Sequence, residues 1–321
     1  MPQSDSLVSS NDFLAQVLLQ FGEAEVSPVL LRQGDNTVYR VDTPQRRRFV
    51  LRLHTARRHT RRTLDAELTW LAYLSSHLPG AVPQPRPARS GQWTVEVDAG
   101  DVAPLLCSLL SWTEGTPLGE GVEFSREQAA QAGRLLAQMH RLAERFLPPP
   151  DFERPRYDAP YFRQCWLDLR QELTAGLWSQ ERAETLHASL EALYTHLGDW
   201  QALPGGHGLI HADAHPGNFV QQDGSLGLLD WDRCGWGPFL LDLAGVTLAL
   251  DQTERDVFLA EYARVRLLPP GLALPLRALR VLAAVENLSV LARRPHERPF
   301  VLEALPNLEQ IATQLSEEYM H

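Results

Sequence analysis

The sequence contains no lysine, and all 30 of its permanently cationic residues are arginines. A phosphate or carboxylate that needs such a cation must therefore be bound by a guanidinium. Arginine stays charged at any physiological pH and offers a planar fork of donors, so it binds phosphate through paired hydrogen bonds rather than as a point charge. The absence of lysine thus restricts the geometry of any phosphate site in this protein.

Cysteine and long apolar runs are also scarce. Cys107, Cys165 and Cys234 lie far apart, which fits neither a disulfide framework nor a zinc-finger spacing and suits a reducing compartment. No run of about 18 apolar residues predicts a membrane span, and residues 1–13 lack the basic start and apolar stretch of a signal peptide. We therefore expect a cytoplasmic protein with no membrane partner.

The net charge of −10 argues against nucleic acid as a partner. Two arginine clusters, at residues 46–48 and 56–62, run against this balance. They either contact phosphates or form solvated turns and helix starts, as charge runs commonly do.

The first 111 residues predict a small β-rich domain. Helical spacing of apolar residues marks a short helix at 14–22 and a longer one at 60–78. Alternating apolar residues joined by tight polar turns mark five strands. These are residues 29–33, 36–43, 47–54, 92–97 and 103–112. We expect an antiparallel sheet with one major helix.

From residue 112 onward the pattern is helical. The predicted helices are 125–146, 160–197 with a break near Gly176, 239–250, 253–265, 274–294 and 300–319. Two short apolar β segments, 208–210 and 226–229, interrupt them. The sequence therefore predicts an α+β fold with two domains, residues 1–111 and residues 112–321.

Polar side chains concentrate in HADAHPGN, residues 211–218. In an extended strand His211, Asp213 and His215 would share one face, as a zinc site requires, but Pro216-Gly217 follows at once and the other histidines are scattered. Phosphoryl transfer from ATP instead needs a carboxylate near the acceptor hydroxyl and oxygen ligands for Mg²⁺. Asp213, Asn218 and Asp230 supply that set.

HADAHPGN and LLDWDRCGWGPFLLDLAG together, and NTVYRVDT with FVLRLH more weakly, resemble kinases of the aminoglycoside phosphotransferase and choline kinase type. The branch with bacterial stress-response and homoserine kinase-like proteins is the most similar. The resemblance implies a two-lobed protein kinase-like fold, with an antiparallel β-rich N-lobe that covers ATP and a mostly helical C-lobe. It also implies Asp213 as the catalytic base and Asn218 and Asp230 as Mg²⁺ ligands.

The same resemblance assigns supporting roles around these residues. His211 braces the loop, and His215 is an ordinary loop residue. Asp232 either supports the metal site or only makes a turn. Asp242 either anchors the catalytic loop from below or caps a helix.

For the nucleotide, Arg52 stands where kinases of this type carry a phosphate-binding lysine, and Glu67 is its expected ion-pair partner. The alternative is a surface arginine on an edge strand. Gly34 and Asn36 permit a tight turn whose backbone N–H groups face phosphates, although any hairpin can carry such residues.

We expect a kinase that phosphorylates a hydroxyl of a small molecule with ATP and Mg²⁺. The alternatives are a Ser/Thr protein kinase of the stress-response type and a non-catalytic nucleotide-binding regulator. Only a short segment separates Asp230 from Asp242, which leaves little room for a peptide platform. The sequence leaves the oligomeric state open. Candidate residues for acceptor binding are Asp158, Trp166, Asp168, Trp236, Glu286 and Asn287.

Overall fold

The computed structural model describes residues 10–24, 26–34, 36–55, 60–99, 102–119, 124–173, 178–202 and 206–320. The chain divides into two compact units. The sheet unit comprises Met1–Leu118, Phe146–Arg154 and Phe219–Asp232. The helical unit comprises Gly119–Arg145, Pro155–Asn218 and Arg233–His321. The helix break predicted near Gly176, and residues 56–59 of the second arginine cluster, lie outside the described ranges.

A six-stranded antiparallel sheet forms the body of the sheet unit. Its strands are β1 (Ser27–Gln33), β2 (Asn36–Asp42), β3 (Arg48–Thr55), β4 (Pro85–Arg86), β5 (Thr94–Ala99) and β6 (Val102–Ser111). The order is β1-β2-β3-β6-β4, and β5 also pairs with β6. Five strands lie where the alternating pattern predicts them. The two residues of β4 are too few to show a period.

Two helices accompany this sheet. Helix α1 (Asn11–Gln20) begins at Ser10, whose side chain accepts the Phe13 N–H, and its apolar residues join the buried cluster of the sheet. Helix α2 (Arg61–His77) begins at Thr60, which forms a reciprocal capping box with Thr63. The buried face of α2 includes Glu67 among apolar residues, and this burial predicts a charged partner.

A second, three-stranded sheet in the sheet unit has the order β10-β9-β7. Its strands are β7 (Thr116–Pro117), β9 (Phe219–Gln222) and β10 (Ser225–Leu228). The sequence predicts β10 but not the other two, because β7 has only two residues and β9 (Phe-Val-Gln-Gln) has only two apolar residues. Leu228 N–H donates to Ala81 O at 2.8 Å, so this end of the β9–β10 hairpin is bonded to the segment after α2.

The helical unit contains seven α-helices in the described ranges. They are α3 (Arg126–Ala143), α4 (Ala159–Leu173), α5 (Gln180–Ala202), α6 (Phe239–Thr247), α7 (Gln252–Val265), α8 (Ala273–Ala292) and α9 (Arg298–Met320). Strands β8 (His207–Ile210) and β11 (Gly235–Pro238) form an antiparallel pair. The sequence misses β11, because Gly-Trp-Gly-Pro does not alternate. None of the described helices is long and apolar enough to cross a bilayer.

Candidate active site

The loop after β8, residues 211–218, is anchored by a buried carboxylate. Asp242, in the first turn of α6, accepts the N–H of His211 at 2.9 Å and the N–H of Ala212 at 2.7 Å. Pro238 is the N-cap of α6. Asp242 is therefore a loop anchor rather than the helix cap, which decides between the two roles expected for it.

Asp242 has a second buried partner on α3. His140 Nε2 lies 3.0 Å from its carboxylate, and His140 Nδ1 lies 2.8 Å from the Tyr262 hydroxyl. Burial lowers the pKa of His140, which favours the neutral ring. Burial alone would raise the pKa of Asp242, but His140 and the loop N–H groups lower it. A neutral imidazole thus donates from Nε2 to a charged carboxylate and accepts from Tyr262.

Asp213 and Asn218 are joined directly within this loop. Asn218 Nδ2 donates to Asp213 O at 2.8 Å and to Asp213 Oδ2 at 3.2 Å. Because the amide nitrogen is committed to Asp213, the amide oxygen is the atom left to ligate a cation. Asp213 remains partly exposed, as a residue that contacts an acceptor must.

The two histidines of the loop make internal contacts. His211 Nδ1 accepts the Asp213 N–H at 3.2 Å, and His215 Nδ1 accepts the Gly217 N–H at 3.2 Å. His215 Nε2 also lies 3.2 Å from Asn218 Nδ2. Among the residues that the structure describes, no group of three or more His, Cys, Asp or Glu side chains is placed to hold a metal ion. Both imidazoles therefore brace the loop, and nothing in these ranges favours a zinc site.

Arg233 is a partner of Asp213 that the sequence analysis missed. Its guanidinium lies 3.1 Å from Asp213 Oδ1, 2.6 Å from Glu286 Oε1 and 2.9 Å from Asn287 Oδ1. Burial lowers the pKa of Arg233, but Glu286 and Asp213 outweigh this effect and raise it above its usual range. Arg233 directly follows LLDWD, and that position in the motif is the only sequence signal for it.

Two of the six acceptor candidates, Glu286 and Asn287 on α8, therefore reach Asp213 through Arg233. Glu286 also accepts the Tyr161 hydroxyl at 2.6 Å. The other candidates lie in different surroundings. Asp158 accepts the Tyr161 N–H, Asp168 pairs with Arg293, Trp166 is fully buried, and Trp236 stacks on His207.

In the sheet unit, Arg52 and Glu67 form a buried ion pair at 2.7 Å. Arg52 is on β3, which lies between β2 and β6, so the alternative of a surface arginine on an edge strand is wrong. Burial lowers the pKa of Arg52, but Glu67, Asp232 and Asp230 raise it above its usual range. Arg52 Nε is buried with no hydrogen-bond partner among the described residues. An unpaired donor of this kind fits a phosphate oxygen.

Asp230 lies two residues after the end of β10 and has a left-handed backbone, φ 59°. Burial and the neighbouring Asp232 raise the pKa of Asp230 to about 7, against the attraction of Arg32 and Arg52. A carboxylate whose charged form is disfavoured in this way is stabilised by a bound cation. Carboxylate oxygens are also the ligands that Mg²⁺ prefers, so these residues fit the metal expected here.

The turn between β1 and β2 shows a local role for Asn36. Gly34 N–H donates to Asn36 O at 3.1 Å, and buried Asn36 accepts Arg32 Nη2 at 3.3 Å through Oδ1. The same Arg32 lies 3.5 Å from Asp230 Oδ2. Residue 35 lies outside the described ranges. The contact of this turn with phosphates stays a prediction.

Residues 29–279 match the model of the phosphotransferase enzyme family. The chain belongs to this family. It is 24% identical to amicoumacin kinase of Bacillus subtilis (strain 168), over 72% of this chain and 65% of that protein. The matched region thus spans slightly less than two thirds of that relative.

Two solved structures show the same fold. The microcompartment-associated aminopropanol kinase superposes with a TM-score of 0.75 at 23% identity, covering 97% of this chain and 98% of that one. Amicoumacin kinase hAmiN, in complex with AMP-PNP, Ca²⁺ and Ami, gives a TM-score of 0.78 at 15% identity over 97% and 96%. The predicted family and fold class are confirmed.

Proposed function

We propose that the protein is an ATP- and Mg²⁺-dependent phosphotransferase that moves the γ-phosphoryl group to a hydroxyl of a small molecule. Membership of the phosphotransferase family supports the reaction class. Similarity to an amicoumacin kinase and to an aminopropanol kinase favours a small-molecule acceptor. The complex of one of them with AMP-PNP and Ca²⁺ favours a nucleotide and a divalent cation.

One observation carries the proposal. The loop of residues 211–218 holds a carboxylate and an amide against each other, with Asn218 Nδ2 on Asp213, and Asp242 fixes the backbone beneath them. Phosphoryl transfer depends chiefly on positioned charges, because the transferred group itself needs little covalent chemistry from the protein. A loop fixed in this way suits that requirement.

In the helical unit, Asp213 orients the acceptor hydroxyl and takes its proton as the hydroxyl oxygen bonds to the γ-phosphorus. The bond between that phosphorus and the β,γ-bridging oxygen breaks, and ADP leaves. Arg233 fixes one carboxylate oxygen of Asp213, Oδ1. The second oxygen, Oδ2, faces Asn218 Nδ2. Asn218 offers its amide oxygen to the metal.

In the sheet unit, Arg52 binds phosphate oxygens through donors that include Nε, while Glu67 fixes its guanidinium. Asp230 is the carboxylate ligand, and Asp232 adds negative charge beside it. Mg²⁺ bound there would neutralise charge on the β- and γ-phosphates. The residue roles in both units belong to the proposal.

A protein acceptor receives less support. After Asp230 the chain continues into β11 at Gly235 and α6 at Phe239, both regular elements that pair or pack within the helical unit. This segment has no room for the extended platform that a peptide substrate requires. The small molecule is therefore the favoured acceptor.

A phosphorylation screen tests the proposal. Purified protein is incubated with radiolabelled ATP, Mg²⁺ and a library of hydroxylated metabolites, with casein included as a protein acceptor. We expect transfer to at least one small molecule and a loss of about 10²- to 10⁴-fold in Asp213→Asn, the range for removing a general base. Asp223→Asn, in the exposed β9–β10 turn, serves as the control. Undiminished turnover by Asp213→Asn would refute the assigned base.

A further inference from the structure

The segment that follows α3 packs against helix α2 of the sheet unit. This segment, residues 146–154, is here called the strap. Phe146 contacts Trp70 at a ring-centroid distance of 5.0 Å and Tyr73 at 5.1 Å, and Phe152 stacks edge-on against Phe146. Arg62 Nε donates to Asp151 O at 2.8 Å from the start of α2. The strap is therefore an integral part of the sheet unit.

The last residue of the strap, Arg154, inserts a buried guanidinium beside α2. Its Nη1 donates to Thr63 O at 3.2 Å and lies 4.0 Å from Glu67 Oε2. Thr63 and Glu67 are one helical turn apart, so the guanidinium lies along one face of the helix. Arg154 Nη2 donates to the backbone carbonyl of Asp232. One side chain thus joins α2 to the loop that contains Asp230.

Positive and negative side chains alternate around this contact, in the order Arg52, Glu67, Arg154. Glu67 directs Oε1 to Arg52 at 2.7 Å and Oε2 toward Arg154. The Arg154 side chain is only 2% exposed and that of Glu67 is fully buried. In such an environment each charge needs its neighbour, because an unpaired buried ion is costly.

We infer that Arg154 is a positioning residue for the nucleotide and metal site of the sheet unit. It fixes the backbone at Asp232, two residues after the metal ligand Asp230. The same guanidinium lies beside Glu67, the ion-pair partner of Arg52. This inference rests on the proposed function, since it concerns Mg²⁺ and phosphate binding. No residue spacing or motif signals it.

The test measures binding of AMP-PNP with and without Mg²⁺ by calorimetry. Arg154→Met removes the link to Asp232, and we expect Mg²⁺-dependent affinity to fall about 10- to 100-fold, as for other groups that orient metal ligands. Arg154→Lys keeps the charge but loses the paired donors of the guanidinium. Its Mg²⁺-dependent affinity for AMP-PNP should therefore lie between those of wild type and Arg154→Met. Binding measured without Mg²⁺ should change much less.

Arg62→Met is the matched control. Arg62 also joins α2 to the strap, through Asp151 O and Glu153. Its side chain is half exposed, and within the described residues it forms no hydrogen bond or ion pair with Glu67 or Asp232. A purely structural role for the strap would make the two methionine variants behave alike. Equal Mg²⁺ dependence in Arg154→Met and Arg62→Met would therefore overturn the inference.

Three further outcomes are decisive. If both Arg154 variants fail to fold while Arg62→Met folds, Arg154 serves folding rather than positioning, and the inference is wrong. If wild-type protein binds no Mg-AMP-PNP, the proposed function fails together with the inference. Normal wild-type binding with an unaffected Arg154→Met would overturn the inference alone.

Discussion

The loop that carries Asp213 and the loop that carries Asp230 are held by buried groups of opposite charge. In the helical unit, the Asp242 carboxylate accepts two backbone N–H groups of residues 211 and 212. In the sheet unit, the Arg154 guanidinium donates to the backbone carbonyl of Asp232. A carboxylate thus binds backbone N–H donors of the Asp213 loop, and a guanidinium binds a backbone carbonyl acceptor of the Asp230 loop.

Both loops also contain a non-glycine residue in the left-handed region, Ala212 at φ 66° and Asp230 at φ 59°. Such a conformation costs about 1–3 kcal/mol and persists only where surrounding contacts fix it. The buried groups supply such contacts at Ala212 itself and at Asp232, two residues after Asp230. Backbone strain at both loops fits the expectation that functional sites store it.

The two anchors differ in how their charge is balanced. Asp242 has a neutral imidazole beside it, so its charge is balanced by hydrogen-bond donors rather than by an adjacent cation. Arg154 belongs to an alternating series with Glu67 and Arg52. Loss of Asp242 would therefore orphan hydrogen-bond donors, whereas loss of an arginine would orphan a buried charge.

The largest effect is expected for Asp242→Ala. Removal of the carboxylate leaves two loop N–H groups and His140 without their acceptor, which should cost about 3–5 kcal/mol of unfolding free energy. Denaturation with guanidinium chloride measures this loss of unfolding free energy. Asp256→Ala, at an exposed carboxylate of α7, is the control. A loss no greater than that of the control would mean that Asp242 is not the anchor.

Arg52→Met should destabilise the protein by about 3 kcal/mol, because it leaves Glu67 buried without its closest cation. The double variant Arg52→Met/Glu67→Met removes both charges but leaves buried Arg154 without the Glu67 carboxylate, so it should recover only part of this loss. Nucleotide binding should stay weak in both variants. Denaturation and calorimetry separate the two effects, and recovered nucleotide affinity in the double variant would contradict the role of Arg52.

The stability of the protein should depend on pH through His140 of the helical unit. The folded pKa of His140 is lowered by burial and by Arg266, while Asp242 and Glu144 act to raise it. Tyr262, hydrogen-bonded to the same ring, also faces it. Below about pH 6.5 the unfolded chain binds a proton that folded His140 does not, so stability falls by up to about 1.4 kcal/mol per pH unit. The lowered pKa of Asp242 acts in the same direction, but only nearer its ordinary acidic range.

His140→Gln keeps a donor and an acceptor and cannot titrate. Between pH 7 and pH 5 its unfolding free energy should decline less steeply than that of wild type. The other histidines are common to both proteins, so their contributions cancel. Identical slopes would show that His140 does not supply the dependence.

The smallest effect is expected for Ala212→Gly. Glycine adopts a positive φ without steric cost, so relief of strain should offset or exceed its entropic penalty, and stability should change by no more than about 1 kcal/mol. Phosphoryl transfer should persist, since Asp242 bonds the backbone. A large loss of activity with normal stability would show that the methyl group itself has a role.

Long elements were predictable because they repeat a period several times. The strands around Arg52 and the helices α2, α3 and α8 lie close to the predicted ranges. Strands β4, β7, β9 and β11 have two to four residues each, too few to show alternation. Their positions depend on pairing with partners distant in the sequence.

The residues of the candidate site also fall into a group that the sequence predicts and a group that it misses. Asp213, Asn218, Asp230, Arg52 and Glu67 are carried by motifs, and the structure shows local partners for each. Residues that act through distant contacts were missed, because no local pattern connects them. Arg154 lies 78 residues from Asp232, and His140 lies 102 residues from Asp242. Only the folded chain brings these pairs together.

The most direct test is a Mg²⁺ titration of the AMP-PNP complex in wild type, Asn218→Leu and Asp230→Asn, with Asp223→Asn as the control. If Asn218 and Asp230 supply the metal ligands, each variant should lose about 10-fold or more in Mg²⁺ affinity, while metal-free nucleotide binding and the control stay near wild type. Wild-type Mg²⁺ affinity in both variants would contradict the assignment of the site.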